Sequence, residues 1–135
     1  MVFVVVVMQH NSTIRRGAMV VVTAIVVNVV TLAIALIIFG AGGFDPFGVA
    51  PVAIATGVGA VGGLVVYAGC QRLFGSAADR WFMIIAVVAA VLSLITLQQA
   101  ATFPGATTPR LAVLGLMHLL TAAVVIGGLV DWEHV

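Results

Sequence analysis

The sequence predicts an all-α, polytopic membrane protein built as a four-transmembrane-helix bundle, and three observations carry that prediction. Hydrophobic residues make up 64% of the 135-residue chain and charged residues only 7%. Soluble domains carry about 25% charged residues because their surface must face water, so a chain this poor in charge has lipid as its main solvent. The third observation is spacing: the five arginines and Asp45 cut the chain into four uncharged apolar blocks.

Residues 17–44, 46–71, 81–109 and 111–130 contain no Asp, Glu, Lys or Arg. About 20 helical residues cross a hydrocarbon core of roughly 30 Å, so each block holds one span and none holds two. Within them the predicted spans are about 18–39, 50–70, 81–102 and 111–130. Open strands are excluded in lipid because unpaired backbone groups cost several kcal/mol there. The valine-rich runs also lack the alternation of a barrel strand.

Each boundary has its own chemistry. Gly40, Gly42, Gly43, Asp45, Pro46 and Pro51 break the chain between the first two helices. Gly75, Ser76 and Asp79 make a short turn and a cap before Arg80 and Trp81. Pro104, Gly105 and Pro109 interrupt the chain before the fourth helix. Residues 1–14 form an apolar and polar tail, expected to be flexible; Met1–Met8 would extend only about 12 Å as a helix and cannot cross. The membrane domain is 15–135. The first apolar block is too long for the h-region of a signal peptide.

Arginine placement sets the orientation. Arg15 and Arg16 precede the first helix, Arg72 and Arg80 separate the second and third, and Arg110 alone separates the third and fourth. With the N-terminus inside, four arginines are cytoplasmic and one is external, as the positive-inside rule favours. The expected location is the plasma membrane, with both termini cytoplasmic. Trp81 and Trp132 would then mark the inner interface, and Phe44, Phe47 and Phe103 the outer one.

Inside lipid, helices associate through close backbone approach and interhelical hydrogen bonds. The second helix offers Ala55, Gly59 and Gly63 at spacing four, the small-xxx-small pattern of a packing face. The first carries Ala24, Asn28, Thr31 and Ala35 along one seam, and the third Ala86, Ala90, Ser93 and Ala100.

Few residues offer chemistry. Asn28 lies near the midplane, where its amide needs a hydroxyl or carbonyl partner; a structural contact between helices is the favoured reading over a polar pathway. His118 is the one histidine inside a span. By depth, Thr56, Gln98, Gln99, His118 and Thr121 form a candidate polar layer beneath the outer surface. Structural hydrogen bonding is favoured for His118, ahead of a ligand or proton-coupled site. Haem or metal ligation ranks last, because His10 and His134 fall near the opposite side and offer it no partner within one chain.

No carboxylate cluster, phosphate loop or Ser-His-acid set is present, and Asp79 and Arg80 read as a surface turn. Neither enzymatic activity nor a cofactor is expected. Cys70, the lone cysteine, allows no intrachain disulfide and reads as a packing residue. A net charge of +1 without any Lys/Arg stripe argues against nucleic acid as a partner. The expected partners are the bilayer and either a second copy or another membrane protein.

The order of these features resembles an uncharacterised family of small four-helix membrane proteins common in actinobacteria. The likeness rests on Arg15-Arg16-Gly17-Ala18 opening the helix of Asn28, on Pro51-Val52-Ala53-Ile54-Ala55, and on the run from Leu114 through His118 to Ala123. It covers about residues 15–130. It implies a four-span plasma-membrane protein and transfers no reaction. A structural or accessory role is therefore the leading expectation. The alternative is a transporter, channel or small-ligand carrier working through the layer around His118.

Overall fold

The computed structural model describes residues 1–133, apart from the side chains of residues 6–11. His134 lies outside the described residues, and the side chain of His10 outside the described side chains. Five α-helices follow one another: α1 Val2–Phe39, α2 Val49–Phe74, α3 Ala78–Ser93, α4 Thr96–Ala100 and α5 Thr108–Leu129. A single 3-10 turn, Gly75–Ala77, joins α2 to α3. Helix α1 begins at Val2, so no break at residue 14 separates the expected tail from the first span.

Among the described residues, three helical stretches are long and apolar enough to cross a membrane: Ser12–Phe39, Val49–Ala100 and Thr108–Leu129. The second and third expected spans thus form one continuous stretch of 52 residues. Its halves are nonetheless folded against each other. Residues 67 and 79 would stand about 18 Å apart on a straight helix, yet the Tyr67 hydroxyl donates to Asp79 Oδ1 at 2.7 Å. The Tyr67 and Phe82 rings meet edge-on at 5.0 Å, and Phe74 stacks on Trp81 at 5.2 Å. Gly75, with φ +53°, supplies the left-handed residue that reverses the chain without a loop.

The third expected span is also not one regular helix. Ser93 Oγ donates to the Ala90 carbonyl and Thr96 Oγ1 to the Ser93 carbonyl, both at 2.6 Å. Around them the amides of Leu94, Ile95, Leu97 and Gln98 bond three residues back rather than four. Hydroxyls that compete for helix carbonyls, together with this 3-10 pattern, separate α3 from α4.

Helix α1 packs on α5 and α2, α2 on α3 and α5, and α3 on α5. Two apolar cores result. One gathers Val20, Ala24, Ala60, Phe82, Val125 and Leu129 toward the end carrying Arg16, whose Nε donates to the Gly128 carbonyl at 2.8 Å. The other gathers Leu32, Ala35, Phe44, Phe47, Val52 and Met117 toward the end carrying Arg110. Phe44 and Phe47, expected at the membrane interface, are buried in this second core with ring centroids 5.4 Å apart. The glycine-rich loop folds back beneath the helix ends and carries both rings inward. Phe103, Trp81 and Trp132 remain exposed.

Loop closure at that end depends on Arg110. Its guanidinium donates to the Phe39, Gly40 and Gly105 carbonyls at 3.0, 3.1 and 2.6 Å. Phe39 and Gly40 end α1, where the orphan carbonyls and the negative end of the macrodipole favour a cation. Gly105 has φ +80°, and a Cβ there would collide with the backbone of Gly42 and Phe44. Only glycine lets the two loops meet.

Candidate functional site: a mid-bundle polar layer beneath a lateral groove

The two cores are separated by one polar layer. On α1, Asn28 stands one turn from both Ala24 and Leu32; on α2, Thr56 stands one turn from both Val52 and Ala60. On α5, Thr121 stands one turn from both Met117 and Val125. Spacings of four bring these three residues to one level, facing one another.

Asn28 is 1% exposed and Thr56 5%. Asn28 Nδ2 donates to Thr56 Oγ1 at 2.9 Å and to Thr121 Oγ1 at 2.8 Å, with the Met117 carbonyl at 3.4 Å. A carbonyl can only accept, so the atom facing it is the amide nitrogen. Thr121 spends its own proton on the Met117 carbonyl at 2.9 Å. The nitrogen of Asn28 is therefore saturated. Its oxygen is not: Oδ1 is buried with no hydrogen-bond partner among the described residues.

His118 stands one turn along α5 from Thr121, toward the Arg110 end. Its Nε2 lies 3.2 Å from Thr96 Oγ1. Thr96 has already given its proton to the Ser93 carbonyl, so Nε2–H is the donor and Nδ1 is left as an acceptor. Thus α4 reaches His118 through Thr96, one turn before the expected glutamines.

The structure brings Asn28, Thr56 and Thr121 together and places His118 with Thr96 beside them. Gln98 and Gln99 do not join. Both are exposed, and neither is bonded to His118 or Asn28. A 3-10 residue advances about 120° and an α residue about 100°. The tightened stretch from Leu94 to Gln98 therefore turns the glutamines off the face that a regular helix would give them.

A groove of about 940 Å³ runs along this layer, between α2 on one side and α3–α4 on the other, with α5 behind. Asn28, Thr56, Thr121, Thr96 and His118 all line it. Ala55, Gly59 and Gly62 form part of the α2 wall, and Ile85, Ala89 and Ala90 part of the α3 wall. Ala55, Gly59, Gly62, Ile85 and Ala89 are exposed, so the groove opens on the flank of the bundle. Asp45, in the loop between α1 and α2, also lines it.

The small-residue seam of α2 divides between two tasks. A Cβ on Gly63 would lie 2.7 Å from Val125 Cγ1, so this glycine is what lets α2 approach α5 within the chain. A Cβ on Gly59 would make ordinary contact with Thr121, and one on Gly62 would meet nothing within 4 Å. Thr96 was not singled out by sequence as a member of this site, although a threonine three residues beyond a serine was its signal.

Among the described residues, no three His, Cys, Asp or Glu side chains approach closely enough to hold a metal ion. The model of a family of unknown function, DUF6069, matches residues 8–132. No curated protein and no solved structure matches the chain. The chain belongs to the DUF6069 family.

Proposed function

For a member of a family with no assigned reaction, we propose an accessory role in the plasma membrane: a protein that crosses four times, keeps both termini in the cytoplasm, and works by packing against a second copy or another membrane protein. The observation that carries this reading is the amide nitrogen of Asn28, saturated by two hydroxyls. Those hydroxyls, on Thr56 and Thr121, come from α2 and α5, so the most buried polar group joins three helices. Interhelical side-chain hydrogen bonds of this kind hold bundles together where water offers no alternative partner. Within α1 beyond Arg16, in α3–α4 beyond Arg80 and in α5 beyond Arg110, no Asp, Glu, Lys or Arg occurs. Coupled transport across a bilayer generally uses such a residue. The reading includes no catalytic step.

Two crossings by the 52-residue stretch are supported by the reversal at Gly75, which returns α3 along α2. The orientation is supported by arginines 15, 16, 72 and 80 at one end against Arg110 at the other. Association has an available surface in the lipid-facing stripe of α1, where Val22, Val26, Val30, Ile34 and Ile37 are all exposed. A photo-crosslinking residue at Val26 or Ile34, activated in native membranes, is expected to give one discrete protein adduct. Lipid adducts alone at both positions would overturn the accessory reading.

A second reading, a carrier of a small apolar ligand, is favoured by the lateral groove and by His118 within it. Solute flux in proteoliposomes that is lost in His118→Phe would select this reading over the first.

A further inference from the structure

We propose that the groove between α2 and α3–α4 is a binding site for an uncharged long-chain amphiphile whose hydroxyl donates to Asn28 Oδ1. The proposal concerns what the groove holds and stands whether or not the chain has a protein partner.

Three observations converge on this ligand class. The first is the orphaned acceptor. Asn28 is 1% exposed, lines the groove, and has an Oδ1 without a partner among the described residues. A buried acceptor left unmade is costly; the Thr121 proton is on the Met117 carbonyl, and no donor among the described residues bonds Oδ1. His118 also lines the groove and, with Nε2–H given to Thr96, keeps Nδ1 as a second acceptor. The groove thus asks for donors.

The second is charge. Asp45 is the one formally charged residue that lines the groove, and Arg110 is engaged by three carbonyls. A phosphate headgroup would meet a carboxylate and no cation. Depth acts in the same direction. Asn28 is eleven residues from Phe39, about 16 Å below the outer end of α1. A charged headgroup cannot follow a chain that far into hydrocarbon, whereas a lone hydroxyl can be carried there at modest cost.

The third is shape. A volume of about 940 Å³ lies within the range of about 300–1,000 Å³ typical of small-molecule sites, which are likewise mostly apolar with a few placed polar groups. Gly62 leaves the α2 wall open, with nothing within 4 Å of the position a Cβ would take. The lateral opening admits a chain directly from the bilayer. A transmembrane helix would fill the same volume poorly, since its backbone donors are already bonded within the helix.

The test uses the full chain in phosphatidylcholine nanodiscs with a diazirine-bearing hexadecanol as the probe and its methyl ether as the donor-free control. The alcohol is expected to label α2 and α3 and to bind about tenfold more tightly than the ether, the factor that one hydrogen bond to a buried acceptor supplies. Dioleoylglycerol should compete and dioleoylphosphatidylglycerol should not. Gly62→Leu, which fills the groove without touching Asn28, should abolish labelling while helicity by circular dichroism is kept. Asn28→Leu should reduce alcohol binding to the level of the ether. Equal binding of alcohol and ether by the unaltered chain would overturn the proposal, as would full labelling of a folded Gly62→Leu chain. Equal competition by the anionic lipid would overturn it as well.

Discussion

At the scale of single residues, the protein is organised around two side chains that each serve three partners. Asn28 ties α1 to Thr56 and Thr121, and Arg110 ties the end of α1 to the loop before α5. Hydrogen bonds between transmembrane helices average about 0.6 kcal/mol and reach about 1.7 kcal/mol in double-mutant cycles. A cycle of Asn28→Ala with Thr56→Val should therefore show coupling of roughly 0.5–1.5 kcal/mol in detergent unfolding. Additive single effects would mean that the 2.9 Å contact contributes nothing. Removing Arg110 leaves three carbonyls to find water at the membrane surface. Arg110→Ala is expected to cost about 1–3 kcal/mol and to speed amide hydrogen exchange in the 40–48 loop. Arg110→Lys should recover only part of the loss, since a point ammonium does not reproduce the guanidinium fork. Asn28 was legible in sequence as a midplane amide in need of a partner, because an unpaired amide in a long apolar block is costly. Its meeting with Thr56 and Thr121 was not, because depth along a helix says nothing about which way the helix faces.

Between residues and the whole bundle, the elements show where periodicity is a sound guide and where it fails. The spacing of Ala55, Gly59 and Gly63 reads as a close-approach face, and at Gly63 the approach is real: Val125 occupies the space a side chain would need. Gly63→Leu should separate α2 from α5 and destabilise the bundle by about 1–3 kcal/mol, the usual cost of overpacking. Gly62→Leu, one residue away, should be nearly neutral because its Cβ points into the open groove. A thermal unfolding series of the two variants checks the contrast, and similar losses in both would contradict the assigned faces. Reading depth along the third span worked less well. Counting residues placed Gln98 and Gln99 in the polar layer, but Ser93 and Thr96 turn the helix into a tighter one just before them. Hydroxyl groups that bond back to helix carbonyls change the phase of everything that follows, and apolar-block arithmetic has no means of registering that. Restoring regular geometry is a direct test. Ser93→Ala with Thr96→Ala should shift the reactivity of a cysteine at Gln99 toward the protected face.

For the whole molecule, the four uncharged blocks were plain in the sequence, and the family match over residues 8–132 covers all of them. The number of crossings depends on one short turn. If the 52-residue stretch from Val49 to Ala100 crossed once, the chain would cross three times and its ends would lie on opposite sides. If it crosses twice, residues 75–77 return to the side of Arg15 and Arg16, and Thr102 emerges on the side of Arg110. The Tyr67–Asp79 bond and the two aromatic contacts beside it favour the second arrangement, because they fasten the reversal at the arginine-rich end. Single cysteines at Ser76, Thr102 and Trp132, all exposed positions, separate the cases in a Cys70→Ser background. In intact cells a membrane-impermeant maleimide should label Thr102→Cys alone, and permeabilisation should add the other two. Labelling of Trp132→Cys without Ser76→Cys in intact cells would favour three crossings, and labelling of both with protection of Thr102→Cys would invert the orientation. The proposed four crossings would also give the groove its meaning. Only when α2 and α3–α4 both stand in the bilayer does the gap between them face lipid, with Asn28 at the depth where an unpaired acceptor is hardest to satisfy.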